Sequence, residues 1–324
     1  MTPQPHTLWL HRFAVLTACA ALLPIVVGAL VTTVGAGMAF ADWPSSDGHN
    51  MLAYPWLQSE GDKFVEHGHR LAGMLIGILS IVLVIVTWKS EQRGWVRWLS
   101  LTILLAVIAQ GLLGGSRVLW DRRTLALVHG GFAACVFALM ASMALITGRF
   151  WRQSAQPTQD FDRTTLIPLA VLTPLVIAGQ YGMGGMVRHL GTALHEHLAG
   201  AALVLVFVAA SSLKAIRSGQ PALKQSGQWL LMLLLSQLVL GAAAWITRFG
   251  WPSTGYVSVQ HAPLQIVVRT AHTVVGLLLF ATAVIYLLKI LRLGYLQSRH
   301  TPTDSERPVL FPNGHTLSVE GGLR

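Results

Sequence analysis

Eight apolar stretches constrain this chain more than any other feature of its sequence. They run near 13–40, 69–88, 97–116, 124–147, 165–186, 192–213, 228–247 and 266–290. A hydrocarbon core of about 30 Å takes about 20 residues of helix to cross. Inside it the backbone has no water to bond to, so a continuous apolar run of that length must satisfy its own N–H and C=O groups as an α-helix. Composition agrees: 53% of residues are apolar and 11% charged, against roughly 25% charged in soluble domains. The expected fold class is an all-α membrane protein of about eight transmembrane helices. Ala39-Phe40-Ala41 has the form of a signal-peptidase site. The apolar run before it is far longer than a signal core of about 7–15 residues, so the first helix is expected to be retained.

The formal net charge is +10, but the basic residues are scattered singly through short loops. That is not the dense patch or stripe a nucleic-acid surface needs, so no nucleic-acid partner is expected. The charge instead sets orientation. With both termini inside, inner segments hold 15 Lys and Arg and outer segments hold 8. The positive-inside rule then places both termini in the cytoplasm. Cys19 and Cys135 both lie in apolar stretches and read as small membrane-facing or core residues.

The halves resemble each other. Gln110-Gly111-Leu112-Leu113-Gly114 lies in the third stretch and Gln237-Leu238-Val239-Leu240-Gly241 in the seventh. Small-residue runs are expected to end the first and fifth helices, at Gly35-Ala36-Gly37 and Gly182-Met183-Gly184-Gly185. Repeated halves are common in membrane proteins. The expected division is an N-terminal segment 1–12, a four-helix bundle 13–152, a linker 153–164, a second four-helix bundle 165–293 and a polar tail 294–324.

The histidines carry the chemistry. His69, His129, His197 (with His195) and His272 fall at the starts of the second, fourth, sixth and eighth stretches. In the topology above, each of those helices begins at the outer face, so the four positions share one depth. A polar residue inside a span is costly and tends to face the bundle interior. Two imidazoles on facing helices can hold a haem iron from both sides, and histidine is a normal axial ligand. Small residues one turn on (Ala72 and Gly73, Ala133, Gly200 and Ala201) leave room for a flat macrocycle. Ordinary helix packing also favours such residues.

His195 and His197 point about 200° apart on a helix, so only one can face the centre. His197 has small residues behind it and is preferred, with His195 left open. Glu66 lies three residues before His69, on the same side of the helix. It is either a proton-handling group beside a haem ligand or a solvated acid at a helix start. Arg70, Arg117, Arg188 and Arg248 sit at outer helix ends. They can pair with propionates, and the plainer reading of each is interfacial snorkelling.

Several runs carry a resemblance. They are Gly35-Ala36-Gly37-Met38-Ala39-Phe40-Ala41-Asp42-Trp43-Pro44, Glu66-His67-Gly68-His69-Arg70-Leu71-Ala72-Gly73, Gln110-Gly111-Leu112-Leu113-Gly114-Gly115, Leu127-Val128-His129-Gly130 and Arg269-Thr270-Ala271-His272-Thr273. From about Arg12 to Leu293 the chain resembles the haem A synthase family of respiratory membranes. The resemblance implies two four-helix bundles related by a pseudo-twofold axis. It implies oxidation of the ring-D methyl of haem O to a formyl group by successive hydroxylations, giving haem A for cytochrome oxidase. Carried over residue by residue, His69 and His129 hold the substrate haem with catalytic Glu66 beside them, and His197 and His272 hold a permanent haem b. His195-Glu196-His197 departs from the family's usual form. The cysteine pair of some members is missing from residues 41–68.

The implied partners are haem O, haem O synthase as a candidate supplier, cytochrome oxidase assembly as recipient, the lipid bilayer and an unidentified electron donor. A homo-oligomer is left open. The implied location is the bacterial inner membrane. Two competing readings stand beside this one. The first is a di-haem cytochrome b-type electron carrier or quinone oxidoreductase. The second is a transporter, which leaves the four histidine positions unexplained.

Overall fold

A computed structural model describes residues 5–152 and 162–300. Most of the expected linker, 153–161, and the tail beyond residue 300 lie outside the described residues, as do residues 1–4. Among the described residues, eight helices are long and apolar enough to cross a membrane. They are α1 (Pro5–Val34), α2 (Gly61–Ser90), α3 (Gly94–Trp120), α4 (Arg123–Thr147), α5 (Arg163–Leu190), α6 (Leu194–Arg217), α7 (Pro221–Phe249) and α8 (Pro263–His300), with a single helical turn Arg149–Arg152 after α4.

Two boundaries differ from expectation in ways that matter for the site. The first helix stops at Val34, so the run from Gly35 to Phe40 is loop rather than helix end. Gly35 adopts φ +85°, and the Ala36 N–H bonds back to the Val31 carbonyl at 2.9 Å. That left-handed C-terminal motif closes a helix with glycine just beyond its end. The second helix begins at Gly61 instead of His69, so Glu66 and His69 sit within the helix and share a face. Gly182 to Gly185 likewise lie inside α5, which ends at Leu190. Residues 294–300 continue α8 beyond the expected end.

Within each half the helices close a ring. Each of α1–α4 packs on the next and α1 returns to α4; α5–α8 do the same. The rings meet through α4 against α8, flanked by α1 on α8 and α4 on α5. Exchanging the halves leaves this set of neighbours unchanged, as two related four-helix units require. Leu83, Ile103, Met140 and Met143 are buried in the first ring, and Leu223, Leu230, Tyr286 and Ile290 in the second. Leu16, Ile78, Leu105, Val206 and Val239 are exposed along the outer faces. In lipid such residues are solvated by acyl chains.

Candidate functional site

The structure brings the four predicted histidines together in two pairs. The rings of His69 (α2) and His129 (α4) have centroids 6.3 Å apart at 83° between planes. Those of His197 (α6) and His272 (α8) are 6.3 Å apart at 88°. A bond of about 2 Å from each imidazole nitrogen to one metal, plus the ~1 Å from nitrogen to ring centre, separates two axial rings by about 6 Å. His195 is exposed and takes no part in a pair. Among the described residues no three His, Cys, Asp or Glu converge on a point. Each site therefore offers two donors, the number an axially ligated macrocycle takes.

Each ring leans on a glycine of the neighbouring odd-numbered helix, a pattern that sequence reading missed. A Cβ on Gly28 (α1) would come within 2.6 Å of His69 Cε1; on Gly114 (α3), 3.0 Å from His129 Cε1; on Gly184 (α5), 3.0 Å from His197 Cε1; and on Gly241 (α7), 3.2 Å from His272 Cε1. One turn before each glycine stands Gln110, Gln180 or Gln237, with Pro24 in α1. Gln110 donates to the His129 carbonyl at 3.0 Å and Gln180 to the His197 carbonyl at 2.8 Å. The Gln237 amide lies 3.4 Å from His272 Nε2. The visible signal was Gln-x-x-x-Gly, which occurs in three odd helices.

Among the described residues the Nδ1 atoms of all four histidines are buried without a hydrogen-bond partner. Buried imidazole nitrogens in native structures are nearly always satisfied. Two converging imidazoles, orphaned ring nitrogens and glycine-lined walls together fit a haem held between facing helices. The small-residue faces are only partly open. A Cβ on Gly73 would meet nothing within 4 Å, whereas one on Gly200 would meet Gln180 and Met183.

What distinguishes the first pair is its roof. Glu66 is 4% exposed; it is not the solvated acid of the plainer reading. Its Oε2 accepts from the Ala39 N–H at 2.6 Å and its Oε1 from Arg70 Nη2 at 2.8 Å. Arg70 Nη1 also donates to the carbonyls of Asp42 and Ser45 at 2.9 and 2.7 Å, and its guanidinium lies 4.9 Å from the centroid of the buried Phe40 ring. Arg117 Nη2 donates to the Gly37 carbonyl at 2.7 Å. His67, fully buried, meets Ser46 Oγ at 3.0 Å and packs on Tyr54. Burial pushes the Asp42 carboxyl up, and hydrogen bonds from the N–H groups of Gly48 and Asp47 outweigh it, so the group lies below its ordinary value. The loop after α1 is thus pinned from Gly37 to Ser46.

The loop after α7 is held differently, by Gln265 on the Thr247 carbonyl at 2.8 Å and by Ser258 on the same carbonyl at 2.7 Å. Snorkelling fails as an account of Arg70, Arg117 and Arg188, which turn inward to protein acceptors. Arg188 Nη1 reaches Thr273 Oγ1 and its Nη2 reaches Thr33 Oγ1, each at 2.8 Å, and Nη2 also donates to the Ala29 carbonyl. Arg248 is paired with Gln260 at the exposed surface.

Comparison with known proteins points the same way. A family described as cytochrome oxidase assembly protein, COX15-CtaA, matches residues 11–196. The heme A synthase of Geobacillus kaustophilus is 25% identical over 286 residues, 78% of this chain and 86% of that protein. That of Symbiobacterium thermophilum is 31% identical over 255 residues, 68% of this chain and 80% of that protein. That of Bacillus licheniformis is 27% identical over 271 residues, 73% and 85% of the two chains.

Proposed function

The chain belongs to the COX15-CtaA family of cytochrome oxidase assembly proteins, and from that premise we propose that it is a haem A synthase, oxidising the ring-D methyl of haem O to a formyl group. The observation that carries the assignment of roles is an asymmetry. The two imidazole pairs share one spacing of 6.3 Å, yet only the first is covered by a loop clamped through the buried Glu66–Arg70 pair.

The first bundle, 13–152, takes substrate haem O between His69 and His129. Gly28 and Gly114 leave room for the Cε1 edges of those rings to approach α1 and α3. Glu66, one turn before His69, is the catalytic carboxylate, and Oε1 and Oε2 are its proton-accepting atoms. Arg70, Arg117 and the pinned loop hold that carboxylate in place and keep water from the outer end of the site. The second bundle, 165–293, holds haem b between His197 and His272. Haem b, when bound, supplies one-electron relay. Gln180 and Gly184, with Gln237 and Gly241, orient its two ligands. The protein lies in the bacterial inner membrane with both termini cytoplasmic, receives haem O from haem O synthase and passes haem A to cytochrome oxidase assembly.

The deciding experiment is haem extraction and chromatography from cells that make haem O, with and without this protein. A haem A peak that depends on the protein is expected. Its absence, with the protein present in the membrane and carrying haem, would leave the di-haem electron carrier, which the equal spacing of the two pairs also suits.

A further inference from the structure

At the end of the helices opposite the histidine pairs, the protein has an open cavity of about 870 Å³. Its wall is built from three separate segments: the end of α2 running through the turn into the start of α3, the turn after α4, and the last third of α8. Five cations line it, Lys89, Arg93, Arg97, Arg152 and Arg292. Among its lining residues the carboxylate is Glu91, which is already committed: Arg93 donates to Glu91 through Nε at 3.0 Å and Nη2 at 2.8 Å, and Arg152 reaches it at 3.4 Å. Four positive charges in excess therefore face one space.

Like charges gathered around one open cavity repel one another and favour a counter-ion. Two guanidinium groups are also incompletely satisfied. Among the described residues the buried Nε–H groups of Arg152 and Arg292 lack an acceptor, and such orphaned donors call for an explanation. Depth adds a third constraint. Trp88, Trp95 and Trp98 are exposed around this end of α2 and α3, and exposed tryptophans of a membrane protein sit at headgroup level. Basic pockets between transmembrane helices at that level suit lipid phosphates. Arg292 comes from the second ring of helices and the other four cations from the first half, so an anion held here would join the halves.

We propose that this cavity binds a phosphate-bearing anion, presented by the headgroup of an anionic membrane lipid. Arg152 and Arg292 are its main donors, and Lys89, which makes no side-chain hydrogen bond among the described residues, completes the charge.

The test uses the full haem-loaded protein purified in neutral detergent, with its thermal midpoint followed during titration. Phosphatidylglycerol should raise the midpoint by several degrees, while phosphatidylcholine should not. Inorganic phosphate at matched ionic strength should not raise it either. An equal shift with inorganic phosphate would keep the anion site and overturn the lipid as its source. The double variant Arg152→Gln, Arg292→Gln should bind phosphatidylglycerol roughly tenfold or more weakly, since charge-assisted bonds carry most of such recognition. Its haem spectrum should be unchanged, which separates lost binding from lost folding. Should the double variant not fold, Lys89→Gln provides the second reading, with a smaller but measurable weakening. No shift with either anion, or an undiminished shift in these variants, would overturn the site.

Discussion

At the scale of single residues, the four glycines decide how the imidazoles stand. Glycine leaves His197 its place against α5: a Cβ at Gly184 would fall 3.0 Å from the ring, so even a methyl group makes the ring give way by a few tenths of an ångström. Gly184→Val should force the ring aside, cost about 1–3 kcal/mol as an overpacked site and strip most of the haem from the second half. The ratio of haem to protein in purified material checks this. Glu66→Gln leaves a buried Arg70 without its counter-charge, which costs about 3 kcal/mol or more. Haem A production should stop while the spectrum of the second haem persists; normal production in that variant would remove Glu66 from the reaction. His272→Ala, by contrast, should abolish that spectrum. The four histidines stood out in the sequence because ionisable residues at the starts of apolar spans are conspicuous, whereas Glu66, three residues before its span, was left open between two readings until its burial was seen. Gly28 was not, since one glycine among many has no mark of its own until a ring is seen against it.

Between elements, the contacts are made by cations that the sequence places at helix ends without saying where they point. Arg188, near the end of α5, ties α1 and α8 together through Thr33, Ala29 and Thr273. Arg188→Ala leaves those acceptors unpaired and should lower stability by about 2–3 kcal/mol, seen as earlier thermal unfolding and faster proteolysis at the junction of the two rings. The turn between α2 and α3 is held by Glu91. Burial pushes its carboxyl up, but the hydrogen bonds from Arg93 and the charges of Arg93 and Arg152 outweigh that, so it lies below its ordinary 4.5. A carboxyl lowered by folding adds stability above its unfolded value, and that contribution drains away as pH falls through the folded one. Glu91→Gln should therefore be less stable than the parent at neutral pH, and the two melting curves should converge in strong acid.

For the whole molecule, the arrangement of two rings side by side puts both imidazole pairs near one end and the basic cavity at the other. A reporter protein that fluoresces only in the cytoplasm, fused after Arg324, should light up; a dark but intact fusion would reverse the orientation. Eight spans were legible because apolar length alone sets them, and α4, read as 124–147, was found at Arg123–Thr147. Ends set by backbone geometry were less legible. The apolar run carried on past Gly35, and only its left-handed conformation stops α1 at Val34.

By itself the sequence determined that the chain is helical and built for a bilayer, and that it carries histidines at matching positions in its two halves, because hydropathy and residue spacing are properties of one strand. Which histidine of the sixth span turns inward, that Glu66 is shielded and clamped to Arg70, and that cations 200 residues apart share a cavity were decided by the tertiary structure. Those facts depend on the rotation and approach of neighbouring helices, which no single helix encodes.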